Sequence, residues 1–186
     1  MIPENIDEIN LIIDRVIAKE QGFVDHPADR GGPTRWGITE FVARESGWRG
    51  EMKDFPVTLA RKIYWKRYIS EPRFDAVVDL NKAVGMEVID TGVNMGPATA
   101  GIFVQRWLNG FNYAGQYQEL FVDGRVGPAT LDALQRFLRW RGKDSELALL
   151  RGLNSVQGSR YLGITENDSK QRQFLFGWIM HRVEIA

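Results

Sequence analysis

The chain has 186 residues, 44% of them hydrophobic, with no cysteine and with 24 basic against 24 acidic side chains. That length and apolar content suffice for one domain, or a domain with a small annex, and exclude wholesale disorder. Balanced charge gives no general pull toward nucleic acid or a membrane, and a chain without cysteine has neither a disulfide framework nor a thiolate zinc site.

The N-terminus, MIPENIDEIN, is acidic and polar. It lacks the basic start and apolar run of a secretory signal, and no stretch approaches the roughly 18 apolar residues of a membrane span. The expectation is a protein made in the cytoplasm with no stable membrane insertion. A helix is predicted from about Asn5 to Gln21, because Ile9, Ile13, Val16 and Ile17 recur at three- and four-residue spacing. Gly22 is its stop signal. The segment from Asp25 to Thr39 holds too much glycine, proline and acid for a long helix. Gly31-Gly32-Pro33 marks a turn, and Thr34 to Thr39 reads as a short strand of a small hairpin.

Further on, TLARKIYWKRYI (Thr58 to Ile69) reads as an amphipathic helix and Leu80 to Val93 as a mostly apolar, central one. Pro97 to Leu108 follows, with proline suited to a first helical turn, and Pro128 opens another helix through ATLDALQRFLRW. Ser145 to Val156 and Ser169 to Val183 complete the helices. Two GPAT stretches, at Gly96 and Gly127, each precede a Gln-Arg pair at unequal offsets, so they read as similar helix starts rather than a repeat. The expected fold class is all-α with one small hairpin after the first helix. The interruption NGFNYAGQ, within 109–118, suggests a main domain over 1–118 and a small helical subdomain over 119–186.

Glu20 stands one step along the stripe of Ile9, Ile13, Val16 and Ile17. On that face, at the last helical turn, burial and the negative end of the helix dipole both raise a carboxyl pKa. A carboxyl group kept protonated near neutral pH serves as a general acid. The alternative is a side chain turned out to water at a fraying helix end. Asp29 and Thr34 lie nine and fourteen positions downstream, and a tight hairpin folds them back over the helix end. An acid, a second carboxylate and a hydroxyl around one cleft suit glycosidic-bond cleavage. As alternatives, Asp25 and Asp29 are turn-forming acids in a glycine-rich loop and Thr34 a strand residue.

The stretch EQGFVDHPADRGGPTRWGIT, Glu20 to Thr39, resembles the N-terminal signature of glycoside hydrolase family 108, a family of phage and bacterial N-acetylmuramidases. The resemblance continues at YWKRY (Tyr64 to Tyr68) and DTGVNMGP (Asp90 to Pro97). VDGRVGPAT (Val122 to Thr130) and FLFGWIMHRV (Phe174 to Val183) resemble the family's C-terminal peptidoglycan-binding module. Gln21 departs from the family's usual glycine, Phe23 from a common tyrosine and Ile69 from a frequent tryptophan. The resemblance implies a lysozyme-like helical domain, Glu20 as the catalytic glutamate, and supporting roles for Asp29 and Thr34. It also implies hydrolysis of the β-1,4 bond between N-acetylmuramic acid and N-acetylglucosamine without a cofactor.

Candidate substrate contacts are Asp25, Trp36, Thr39, Tyr64 and Asn94. Aromatic faces stack on pyranose rings, although Trp36 and Tyr64 would equally fill a core. The Asn94 amide would bond an acetamido group or cap its helix. His26 and His181 are too isolated for a metal site, and none is expected. Asp123-Gly124 reads as a tight turn. The basic residues Arg136, Arg139, Arg141, Lys143, Arg151, Lys170, Arg172 and Arg182 form either a solvated face or an attraction to anionic wall or outer-membrane surfaces.

The sequence therefore reads as a phage endolysin-like muramidase, monomeric, with peptidoglycan glycan strands as partner. Without a signal, release through a holin-type pore is expected. Its rivals are a lytic transglycosylase on the same scaffold, a chitinase-like enzyme, and a non-catalytic wall-binding or virion protein. Zero net charge and the glycine-acid loop argue against a helix-turn-helix regulator and a nucleic-acid partner.

Overall fold

The computed structural model describes residues 6–19, 22–24 and 32–183. Internal packing divides the chain into two units, Met1–Glu71 and Pro72–Ala186.

The first unit opens with α1 (Ile6–Lys19). Ile9, Ile13 and Ile17 are buried, as their spacing requires, and Val16 is half-buried at the edge of the stripe. This face packs against α3 (Val57–Trp65), whose own inner face carries Ala60, Ile63 and Tyr64. An Arg61–Asp14 ion pair of 2.7 Å also joins the two helices, but it is exposed and adds little.

Between the helices lies a small antiparallel sheet of β1 (Phe23–Val24), β2 (Thr34–Arg35) and β3 (Ile38–Thr39), in that order. Phe23 faces Arg35 across one pair, and Arg35 faces Ile38 across the other. The segment 34–39, read from sequence as one strand, is thus a complete two-residue hairpin. Trp36 and Gly37 form its turn with φ of 55° and 72°. Two successive positive φ values are the mark of a type I′ turn, whose twist matches that of paired strands.

A short helix α2 (Glu40–Glu45) follows directly, which the sequence does not predict, because its N-cap Thr39 reads there as the last residue of a strand. A 3-10 turn at Met52–Asp54 follows, and Met52 and Phe55 are buried, as are Ile38 and Ala43. After α3 the backbone widens into a π-helical turn, Lys66–Ser70, that buries Ile69. The sequence predicts an unbroken helix there, because a single π-helical turn is too short to stand out in the spacing of apolar residues.

The second unit is helical throughout its regular structure. It comprises α4 (Phe74–Leu80), α5 (Lys82–Met95), α6 (Pro97–Phe111), α7 (Pro128–Arg141), α8 (Ser145–Asn167) and α9 (Arg172–Arg182). Helix α5 packs on α4 and α6, α8 covers α5, α6 and α7, and α9 lies on α8. The core is built from Phe74, Val84, Ile89, Val104, Leu108, Leu134, Phe137, Leu149 and Leu153. Helix α4 was not expected, and α5 starts later than predicted, because the Asn81 side chain caps it by accepting from the Val84 N–H at 2.9 Å. Both GPAT stretches do open helices with proline in the first turn. The interruption within 109–118 is the end of α6 and the loop beyond it.

Helix α8 runs eleven residues past its expected end, to Asn167. Its buried stripe is Leu149, Leu153, Gln157, Tyr161 and Thr165, at four-residue steps. The later members are polar, which hid the continuation from an apolar pattern. An Arg182–Asp90 ion pair of 2.7 Å, both side chains mostly buried, ties the end of α9 back to α5. Among the described residues no helix is long and apolar enough to cross a membrane.

Burial pushes the phenols of Tyr117 and Tyr161 up to about 12, and the Asp90 carboxylate adds to the rise at Tyr161. Their folded values exceed the ordinary 10.0, so the stability they contribute is complete below pH 10 and is lost as pH rises toward 12. In an alkaline titration, phenolate absorbance from these two tyrosines should therefore appear together with the loss of helical circular dichroism.

Candidate functional site

The residues nominated from the sequence divide between the two units. Glu20, Asp25 and Asp29 lie outside the described residues, as does His26. Thr34, Trp36, Thr39 and Tyr64 belong to the first unit and are gathered on and around the hairpin. Asn94 belongs to the second.

The hairpin turn is held from two sides. Trp36 adopts a left-handed backbone, which for a bulky L-residue costs about 1–2 kcal/mol. It is kept there by its own indole N–H, which donates to the Phe55 carbonyl at 3.0 Å, and by the Tyr64 hydroxyl, which donates to the Trp36 carbonyl at 3.1 Å. Strain of this kind persists only where the surroundings over-determine it, and it concentrates at working sites. The Arg35 guanidinium lies 5.2 Å from the Trp36 ring centroid, so the indole carries a cation on one face. Tyr64 is 7% exposed and stacks on Tyr68 at 5.8 Å. Its hydroxyl thus anchors the turn, and its ring lies in the core.

Thr34 is half-buried, and its hydroxyl donates to the Gly32 carbonyl two residues back at 3.2 Å. Thr39 caps α2, its hydroxyl accepting from the Val42 N–H at 3.5 Å. The Glu40 N–H donates to the Pro33 carbonyl at 2.8 Å, pinning the hairpin's two ends together.

Removing the Tyr64 hydroxyl would leave the Trp36 carbonyl without that donor. Tyr64→Phe is therefore expected to cost about 1–2 kcal/mol, read as a lower midpoint in urea unfolding. A midpoint equal to wild type would show that the tether does not hold the turn.

In the second unit Asn94 ends α5, and its amide donates to the Asp90 carbonyl at 2.8 Å and carboxylate at 2.9 Å. The other oxygen of Asp90 takes Arg182. Of the basic C-terminal side chains, Arg182 and Arg136 thus sit in ion pairs, the latter with Asp132 at 2.8 Å.

The VDGRVG turn is organised by one buried amide that sequence reading did not single out. Gln105 is 2% exposed. Its Nε2 donates to the Asp123 carboxylate at 2.9 Å and the Arg125 carbonyl at 3.0 Å, while its Oε1 accepts from the Gly124 N–H at 2.8 Å. That amide, with the Arg125 N–H, holds the Asp123 carboxyl below its ordinary value of 3.8. The available signal was a glutamine between Gly101 and Leu108 on the apolar stripe of α6, where a long polar side chain must find partners. Among the described residues no group of three or more histidine or acidic side chains is placed to hold a metal ion.

Two family models match the chain. Residues 13–96 match the model described as Glycosyl hydrolase 108, and residues 99–183 match a Predicted Peptidoglycan domain. The N-terminal part is therefore of the glycoside hydrolase class. More narrowly, the chain carries a glycosyl hydrolase 108 domain followed by a predicted peptidoglycan-binding domain. Among solved structures it is similar to Brucella abortus SagA, with 24% sequence identity, coverage of 92% of this chain and 95% of that one, and a TM-score of 0.52. At that identity the likeness is one of fold. No curated protein matches the chain.

Proposed function

We propose that the protein is a peptidoglycan hydrolase of the endolysin kind, cleaving the β-1,4 bond between N-acetylmuramic acid and N-acetylglucosamine. The observation that carries this reading is the match of residues 13–96 to glycosyl hydrolase 108, followed by a peptidoglycan domain over 99–183.

Glu20 is the general acid in this mechanism. It follows the buried stripe of Ile9, Ile13 and Ile17, and the end of a helix lined in that way favours the protonated form. The carboxyl proton goes to the glycosidic oxygen, the C–O bond breaks, and the muramic acid ring takes on oxocarbenium character. Water then adds to the anomeric carbon and returns a proton to the Glu20 carboxylate, oriented by Asp29 or by the Thr34 hydroxyl, which keeps lone pairs to accept while its proton bonds Gly32. Trp36 offers an aromatic face to a sugar ring from a turn that cannot swing away.

The test is digestion of purified peptidoglycan, with mass spectrometry of the released muropeptides. Products that have gained water at a reducing muramic acid support the reading. Products ending in 1,6-anhydromuramic acid replace it with a transglycosylase, and binding without any release leaves only a wall-binding protein. Glu20→Gln assigns the acid.

A further inference from the structure

The loop after α6 presents an aromatic side chain to solvent on a rigid support. The Asn112 side chain fixes the loop's course: Oδ1 accepts from the N–H groups of Gln116 at 2.8 Å and Tyr117 at 3.4 Å, and Nδ2 donates to the Tyr117 carbonyl at 2.7 Å. The buried Tyr117 hydroxyl then donates to the Leu108 carbonyl at 2.6 Å, anchoring the loop to α6. Trp107, Phe111 and Phe137 stack at successive separations of 5.4 and 5.1 Å, joining α6 to α7 just before each helix ends.

Beyond that stack, Tyr113 is 78% exposed, yet its ring lies 5.5 Å from that of Trp140, tilted by 43°. The Arg141 guanidinium sits 4.1 Å from the Trp140 ring centroid and 5.1 Å from that of Tyr113. No carboxylate among the described residues pairs with Arg141.

We propose that Tyr113, Trp140 and Arg141 form a platform that binds an amino sugar of peptidoglycan together with a neighbouring carboxylate, distinct from the residues nominated for hydrolysis. The proposal rests on the peptidoglycan reading above. Tyrosine and tryptophan offer a large amphipathic face with few rotatable bonds, so ordering them on a ligand costs little. The apolar face of a pyranose ring covers such a surface. A guanidinium stacked on a ring keeps its edge N–H groups available, and these form paired, charge-assisted bonds with a carboxylate. The three hydrogen bonds of Asn112 hold the loop in place before the ligand arrives, which removes an ordering cost from binding. Peptidoglycan supplies the carboxylate from two sources, the stem peptide and the lactyl group of a muramic acid stripped of its peptide.

The full chain is sedimented on ice with intact insoluble peptidoglycan, with the same glycan stripped of stem peptides, and with chitin. Tyr113→Ala, a change at an exposed position, is expected to weaken binding to all three by about fivefold. Arg141→Gln is expected to weaken binding to the peptidoglycan preparations and leave chitin binding unchanged. Loss confined to intact peptidoglycan assigns the stem-peptide carboxylate, and loss confined to the stripped glycan assigns the lactyl group. Tyr113→Ala binding as wild type overturns the platform. Arg141→Gln either binding peptidoglycan as wild type or weakening chitin to the same degree overturns its carboxylate role. A wild-type chain that sediments with neither peptidoglycan preparation refutes the peptidoglycan reading itself, and the platform with it.

Discussion

Glu20→Gln is expected to lower the rate of peptidoglycan hydrolysis by about 10²–10⁴-fold, the range general acid catalysis contributes. The substitution keeps the size and most of the hydrogen-bonding capacity of the side chain, so the thermal unfolding midpoint should barely move. What it removes is the proton: a carboxamide has none to give to a leaving oxygen. In the wild type the rate should fall as pH rises through the pKa of Glu20, because only the protonated acid works. Sedimentation of Glu20→Gln with insoluble peptidoglycan should match wild type, which separates loss of chemistry from loss of binding. Near wild-type turnover by a folded Glu20→Gln chain would dispose of this mechanism. Asp29→Asn and Thr34→Val then divide the supporting roles. If either residue orients the water, its substitution lowers kcat with little change in KM, since the water is positioned after the sugar is bound.

Helices with an apolar stripe were legible in the sequence, and α1, α5, α6 and α7 form close to where the periodicity puts them. The elements that escaped it have physical reasons. Helices α2 and α4 are six and seven residues long, too short for a repeat at 3.6 to stand out. The second half of α8 buries Gln157 and Thr165 where an apolar pattern expects leucine. A sequence break such as that within 109–118 marks a loop but does not say which helices share a core. In the structure α4 and α5 share theirs with the helices that follow, and the packing divides at Glu71 and Pro72.

The candidate site shows the same division. Trp36 and Tyr64 stood out as aromatics, but that the hydroxyl of one holds the strained carbonyl of the other depends on a contact across 28 residues of chain. Gln105 and Asp123 are likewise joined across 18 residues, and no local spacing rule reaches that far.

The two glycines at either end of α6 should respond to alanine with opposite signs. At Gly101 an added Cβ would lie 2.1 Å from the Gly124 carbonyl oxygen, well inside contact distance, and the obstacle is backbone. Gly124 cannot yield easily. Its φ is +78°, its own Cβ position faces the Ala98 carbonyl at 2.6 Å, and its N–H is bonded to Gln105. Gly101→Ala must therefore push the VDGRVG turn off α6 and strain the bonds from Gln105, at a cost of about 3 kcal/mol or more. Gly110 sits in the last turn of the same helix with nothing within 4 Å of its Cβ position. There alanine restricts only the unfolded chain and should stabilise by about 0.4–1 kcal/mol. Denaturant unfolding of the two variants beside wild type checks both signs. If Gly101→Ala is as stable as wild type, the turn is not held against α6 by this approach. The acid limb adds a second reading. The depressed folded pKa of Asp123 contributes stability above pH 3.8 that is lost as pH falls through its folded value, so a turn displaced by Gly101→Ala should lose part of that acid dependence.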